Sequence, residues 1–208
     1  MLSFHTNHKL LAIVPVSIFI LLSTAIAVLP AVQQNTRYQE LPDARPVPAD
    51  VARGRALYQA EGCTYCHTAQ VRSDTRQPMR EDGSYPPLAQ DERYGPASRP
   101  EDYVRDRPPF LGTERTGPDL QNIGDRLPSP DWHYTHLYNA RFVAPSSVMP
   151  AYKWYFRGKA DHKAGDRRVL LPDSAREHLE PGFEVWATPD AQAIVAYLLS
   201  LKPATRAP

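Results

Sequence analysis

The chain has 208 residues, of which 22 are proline and two are cysteine, and a formal charge of +1. A proline share of about 11%, against a usual ~5%, argues against long uninterrupted helices or sheets through much of the chain. Two cysteines exclude a disulfide scaffold or a four-cysteine metal site. The near-zero charge argues against a general nucleic-acid binder, and a mean hydropathy of −0.49 excludes a polytopic membrane protein.

The first element is an uncharged run of 23 residues, Leu10–Val32 (LLAIVPVSIFILLSTAIAVLPAV). As a helix it rises about 34 Å, enough for a hydrocarbon core of about 30 Å. Pro15 lies inside it, which a transmembrane helix tolerates. Ala25-Ile26-Ala27 also fits a small-x-small cleavage site, but the apolar run continues past it to Val32, which favours a retained anchor. Residues 1–36 are therefore read as an N-terminal membrane anchor, and 37–50 (RYQELPDARPVPAD), with three prolines and no apolar period, as a Pro-rich stalk. Beyond the anchor, residues 37–208 balance 23 basic against 23 acidic side chains and offer no global field for steering a partner.

Val51–Ala60 has helical composition, with Val51, Gly54, Leu57 and Tyr58 on one face and Asp50 as its expected N-cap. Residues 71–110 hold seven prolines and fifteen charged residues and read as a long surface excursion, although Tyr85, Tyr94, Tyr103 and Phe110 suggest that it packs on something. Asp131–Arg141 is expected as a short helix and Lys153–Ala187 as a second irregular stretch. A last helix is expected after Thr188, which caps it, with Pro189 at its first position, Asp190 in its first turn, and Ile194, Tyr197, Leu198 and Leu201 as its apolar stripe.

The strongest motif is Cys63-Thr64-Tyr65-Cys66-His67, a C-x-x-C-H sequence. Each thiol can add to one vinyl group of haem, and the adjacent histidine can reach the iron from the proximal side. A redox dithiol is disfavoured because no βαβ context surrounds the pair, and a structural zinc site because no second cysteine pair exists. One motif implies one covalently bound haem c. Its attachment takes place outside the bacterial cytoplasmic membrane, which puts the residues after Val32 on the periplasmic side.

For the sixth iron ligand, Met149 sits in an apolar, proline-fixed setting (SSVMPAY), whereas Met79 sits in a charged one (RQPMRED). Met149 is favoured; Met79, His133, His136 or an open position remain alternatives. Between the haem motif and Met149 lies Arg115-Thr116-Gly117-Pro118-Asp119-Leu120. The Pro118 carbonyl is the candidate acceptor for the other N–H of His67, with Gly117 allowing close backbone approach to the haem. Arg115, Trp132, Arg141 and Tyr152 are candidate partners for the haem propionates.

The order of helix, C-x-x-C-H, G-P-D-L, M-P and final helix resembles a class I cytochrome c, in which the first and last helices cross; Gly54 and Tyr58 against Tyr197 would form that crossing. The longer tracts GRALYQAEGCTYCHTAQVR, DERYG, RPPFLGTERTGPDL, DWHYTHLYNARFVAPSSVMPAY and AIVAYLLSLK, behind the anchor, resemble the monohaem subunit II of cbb(3)-type (C-family) haem–copper cytochrome c oxidases. Two stretches, Arg72–Gln90 and Lys153–Ala187, depart from that pattern.

The resemblance implies a mainly α fold: one transmembrane helix followed by a class I cytochrome c domain over 51–203, with irregular insertions at about 71–110 and 153–187. It implies that Cys63 and Cys66 attach the haem, that His67 and Met149 ligate its iron, and that no catalytic residue lies on this chain. The implied partners are the membrane, a polytopic catalytic subunit that receives the electrons, and other cytochrome c subunits. A free-standing membrane-tethered carrier, a nitric oxide reductase subunit, and an open-site enzyme or sensor are the alternatives.

Overall fold

The computed structural model describes residues 7–37, 46–81, 84–104 and 106–202. Most of the expected stalk lies outside the described residues. Helix is 48% of the structure and strand 5%, so the chain belongs to the mainly α class.

The N-terminal run folds as α1 (His8–Ser23), a π-helical turn (Thr24–Val28) and α2 (Leu29–Arg37). Within His8–Thr36 an 18-residue window has a mean hydropathy of 2.6 and no burial, and 29 residues of helix reach about 43 Å. Phe19 and Ile26 are 70% and 72% exposed. An apolar helix bare on every side is long and greasy enough to cross a membrane, and among the described residues nothing covers it as a core helix would be covered. The widened turn falls where the ring of Pro30 would otherwise press on the Ile26 carbonyl, four residues back.

α3 (Ala49–Ala60) begins earlier than expected. Pro48 flanks it without a side-chain cap, and Asp50 lies in the first turn rather than at the N-cap. Its carboxylate accepts the Val51 N–H at 2.9 Å and still complements the helix dipole there. α4 (Ile123–Arg126) is a single turn, and α5 (Pro130–Tyr138) is capped by Ser129, whose hydroxyl accepts the Trp132 N–H. α5 stops before Asn139, and residues 140–142 form a 3-10 turn instead of prolonging the helix.

The 153–187 stretch is not irregular. β1 (Phe156–Gly158), β2 (Arg167–Arg168) and β3 (Val185–Ala187) form an antiparallel sheet in the order β1-β3-β2, with Phe156 opposite Ala187 and Arg168 opposite Trp186. α6 (Asp173–Arg176) lies between β2 and β3. Phe156, Val169, Leu171, Ala175 and Val185 are buried in the main core, so this module closes one side of the domain. Strands of two and three residues carry too little alternation to be read from sequence.

α7 (Pro189–Ser200) starts at its Thr188 cap, which accepts the Ala191 N–H. It crosses α3 closely. A Cβ added at Gly54 would overlap the Ala193 carbonyl, so only glycine permits this approach. The rings of Tyr58 and Tyr197 meet beside it at 5.2 Å and 59°. The crossing fixes the end of α3, from which the Cys63–His67 segment departs.

Candidate haem site

Directly after α3 the chain makes a 3-10 turn over Cys63–Tyr65, and the His67 N–H returns to the Cys63 carbonyl at 3.0 Å. This turn brings Cys63, Cys66 and His67 close together. Both cysteines are free. Burial, followed by the charge of Glu61, pushes the Cys63 thiol up to about 11. The nucleophilic thiol of a redox dithiol is shifted the opposite way, so Cys63 is not activated as one. The Tyr152 side chain hydrogen-bonds Cys63, which joins the Met149 segment to the cysteine turn.

The imidazole of His67 is held from the 117–120 segment. Its Nδ1 lies 2.7 Å from the Pro118 carbonyl oxygen, to which the ring N–H donates. A Cβ at Gly117 would fall 2.7 Å from both ring nitrogens. Gly117 therefore lies against the imidazole itself, rather than serving only a close approach to haem. The Gly117 N–H donates to the Cys66 carbonyl and the Leu120 N–H to the Thr68 carbonyl, each at 2.8 Å. Burial pulls the basicity of His67 down, which favours the neutral, ligand-competent ring.

Behind this turn lies a buried charge web that sequence reasoning missed. Asp119 and Asp91 are both fully buried. Asp119 accepts from the Thr68 hydroxyl (2.5 Å), the Gln70 N–H (2.9 Å), the Gln121 N–H (2.8 Å) and Arg115 (3.1 Å). Arg115 continues to Asp91 at 2.5 and 3.0 Å, and Arg72 grips the same carboxylate with two bonds of 2.9 Å. These contacts hold the Asp91 carboxyl well below the usual range, against the opposing effect of burial. The signal was present in GPDL and DERYG, where each motif carries an acidic residue to which no role had been given.

This web changes the reading of Arg115. Its guanidinium is committed to Asp91, Asp119, the Thr68 hydroxyl and the Gln70 carbonyl, and its charge is answered within the protein. A propionate would have to compete with two buried carboxylates. Trp132 stacks on His136 at 4.8 Å and 10° and meets His133 edge-on. Arg141 is exposed and reaches only as far as Asn139 Oδ1, at 3.4 Å.

Met149 is half-buried and packs against the core, with its N–H on the Ser147 hydroxyl at 3.2 Å. Met79 is 59% exposed. His133 is buried and donates from Nε2 to the Leu127 carbonyl at 2.8 Å. His136 Nδ1 is enclosed without a hydrogen-bond partner. The residues present fit a haem: the imidazole is braced from behind by a glycine whose Cβ would collide with the ring, and the two thiols beside it are unpaired.

No curated protein sequence matches the chain. A family model described as cytochrome c oxidase, mono-heme subunit/FixO, matches residues 3–176. The match spans the apolar N-terminal helix and the Arg72–Gln90 stretch and ends at Arg176, within the 153–187 stretch. The spacing of the haem motif, the braced histidine and a match over most of the chain converge: this protein belongs to the FixO family, the mono-haem cytochrome c subunits of cbb(3)-type oxidases.

Proposed function

We propose that this chain is a membrane-anchored c-type cytochrome that passes electrons to the catalytic subunit of a cbb(3)-type oxidase. Its haem is held covalently by Cys63 and Cys66, with His67 and Met149 as axial ligands and the domain on the periplasmic side of the bacterial cytoplasmic membrane. The observation that carries the reading is the 2.7 Å contact of His67 Nδ1 with the Pro118 carbonyl, made by the histidine that ends the C-x-x-C-H motif. A histidine so held has its proton on Nδ1 and its Nε2 lone pair free for a metal.

When bound, the haem supplies a one-electron redox centre, and filled axial positions would leave no site for oxygen chemistry on this chain. The protein contributes the rest. Pro118 and Gly117 fix the plane of the His67 ring, and the α3–α7 crossing holds the cysteine turn in register. Tyr152 links the Met149 segment to Cys63. The bare N-terminal helix gives the chain a membrane segment to set against a polytopic partner. Because the family is one of oxidase subunits, the match supports this reading over a nitric oxide reductase subunit.

The test has two arms. Full-length protein made with a cytochrome c maturation system should keep its haem colour through denaturing electrophoresis, and Cys63→Ser with Cys66→Ser should lose it. Affinity capture of the tagged chain from detergent-solubilised membranes should bring down a haem–copper catalytic subunit. Capture of the chain alone would favour a free-standing carrier.

A further inference from the structure

We propose that Asp119 is a positioning residue for His67: its buried carboxylate clamps the two backbone segments that hold the imidazole, and so sets the ring's orientation and basicity. The inference rests on the reading of His67 as the proximal ligand.

The geometry is reciprocal. His67 is followed by Thr68, and Pro118, which accepts the His67 proton, is followed by Asp119. The side chains of these two following residues bond to each other at 2.5 Å. One carboxylate therefore closes the loop His67–Thr68–Asp119–Pro118, with the imidazole as its fourth side. The second hold on the same segment is the Gln70 N–H, and the hold on its own segment is the Gln121 N–H. The Asp119 backbone is gripped as well: its carbonyl accepts Arg126 Nη2 at 2.5 Å. Arg115 adds a charge at 3.1 Å and bonds the Thr68 hydroxyl at 2.7 Å, so that hydroxyl donates to one partner and accepts from the other. No solvent reaches Asp119. Charge-assisted bonds in such a setting are strong, and a buried carboxylate stripped of its donors is costly, so the clamp has one arrangement.

Two effects reach the imidazole. A rigid Pro118 carbonyl keeps the Nδ1–H bond short, which raises the electron density the ring offers a metal. The negative charge of Asp119 lies two covalent neighbours from that contact and favours the more positive, oxidised state of a redox centre on the ring. Both lower the reduction potential. Removal of the charge should therefore raise it.

The experiment uses the full-length haem-loaded protein. In Asp119→Asn the midpoint potential should rise, the largest g value of the oxidised haem should shift, and the resonance of the His67 Nδ1 proton should move. Asp91→Asn removes the other buried carboxylate on Arg115 without touching the Thr68–Pro118 loop. It should lower Tm while leaving the g value and the Nδ1 proton in place. Thr68→Val, which keeps the shape and deletes the hydroxyl, should reproduce part of the Asp119→Asn spectral shift even if Asp119→Asn does not accumulate, and Thr68→Ser should restore the wild-type spectra.

The proposal is overturned if Asp119→Asn and Thr68→Val lower Tm with unchanged g value and Nδ1 proton, or if Asp91→Asn moves those signals equally. His67→Ala separates the two levels. Retention of the wild-type low-spin spectrum in that variant would overturn the ligand reading and this inference with it, whereas failure of the Asp119 arm alone leaves His67 as the ligand.

Discussion

The two sides of the proposed haem site are built differently. The His67 side is a polar clamp: a ring held by a carbonyl, backed by glycine, and tied through Thr68 and Asp119 into a buried web of charge. The Met149 side has one local bond to Ser147 and otherwise rests on packing, with Val148 73% exposed beside it and Tyr152 anchored to the Leu137 carbonyl and to Cys63. Directional bonds fix a position, whereas contact packing of a flexible thioether permits adjustment. The histidine side is the rigid half of the site, and the methionine side is the half that yields first.

The largest expected effect breaks the rigid half. Gly117→Ala puts a methyl group into the imidazole, so either the ring or the 117–120 segment must move. A stability loss of about 3 kcal/mol is expected from such overpacking, read as a lowered Tm of the holoprotein together with loss of its low-spin spectrum. Met149→Ala tests the yielding half. It should abolish the long-wavelength sulfur-to-iron band and lower the potential while the haem stays covalently attached, at a stability cost of about 2 kcal/mol. Loss of that band in Met79→Ala instead would move the ligand to the exposed loop.

Acid sharpens the same contrast. Burial first, then the charges of His133 and His67, push His136 down to about 4. Below its ordinary value near 6.5 the unfolded chain takes up a proton that the folded one refuses. The stability held above that pH is therefore lost as pH falls from about 6.5 toward 4. His133 shifts in the same direction. α5 is joined to the Met149 segment through the Leu137–Tyr152 bond, so the sulfur-to-iron band should fade across this window, and less so in His136→Gln. The smallest effect is remote from both halves: Thr188→Ala removes the cap of α7 and should cost about 1 kcal/mol with unchanged haem spectra.

Features written in contiguous residues were legible in the sequence. Cys63 through His67 is one turn of chain, so its spacing is already its geometry. The Thr188-Pro189-Asp190 start of α7 is likewise local, and an uncharged run over Leu10–Val32 states its own solvent. The Gly54 and Tyr58 crossing with Tyr197 was also accessible, through the resemblance of the motif order to class I cytochromes c. What depended on distant partners was not legible. The short β-strands gain their identity only from pairing across 18–31 residues, as between Phe156 and Ala187. Arg115 looked free as a sequence element and is bound on all sides in the fold.

By itself, then, the sequence determined the C-x-x-C-H spacing, the long apolar N-terminal helix and the order of the main helices, since covalent spacing and local hydropathy survive without a fold. The sequence also offered the Pro118 carbonyl as the partner of His67, but only the tertiary structure decided what holds that carbonyl still and where the charges of Arg115, Asp91 and Asp119 are spent. The His67–Pro118, Thr68–Asp119 and Arg115–Asp91 contacts join residues 24 to 51 positions apart, and their strength comes from the exclusion of water, which exists only once the chain has folded.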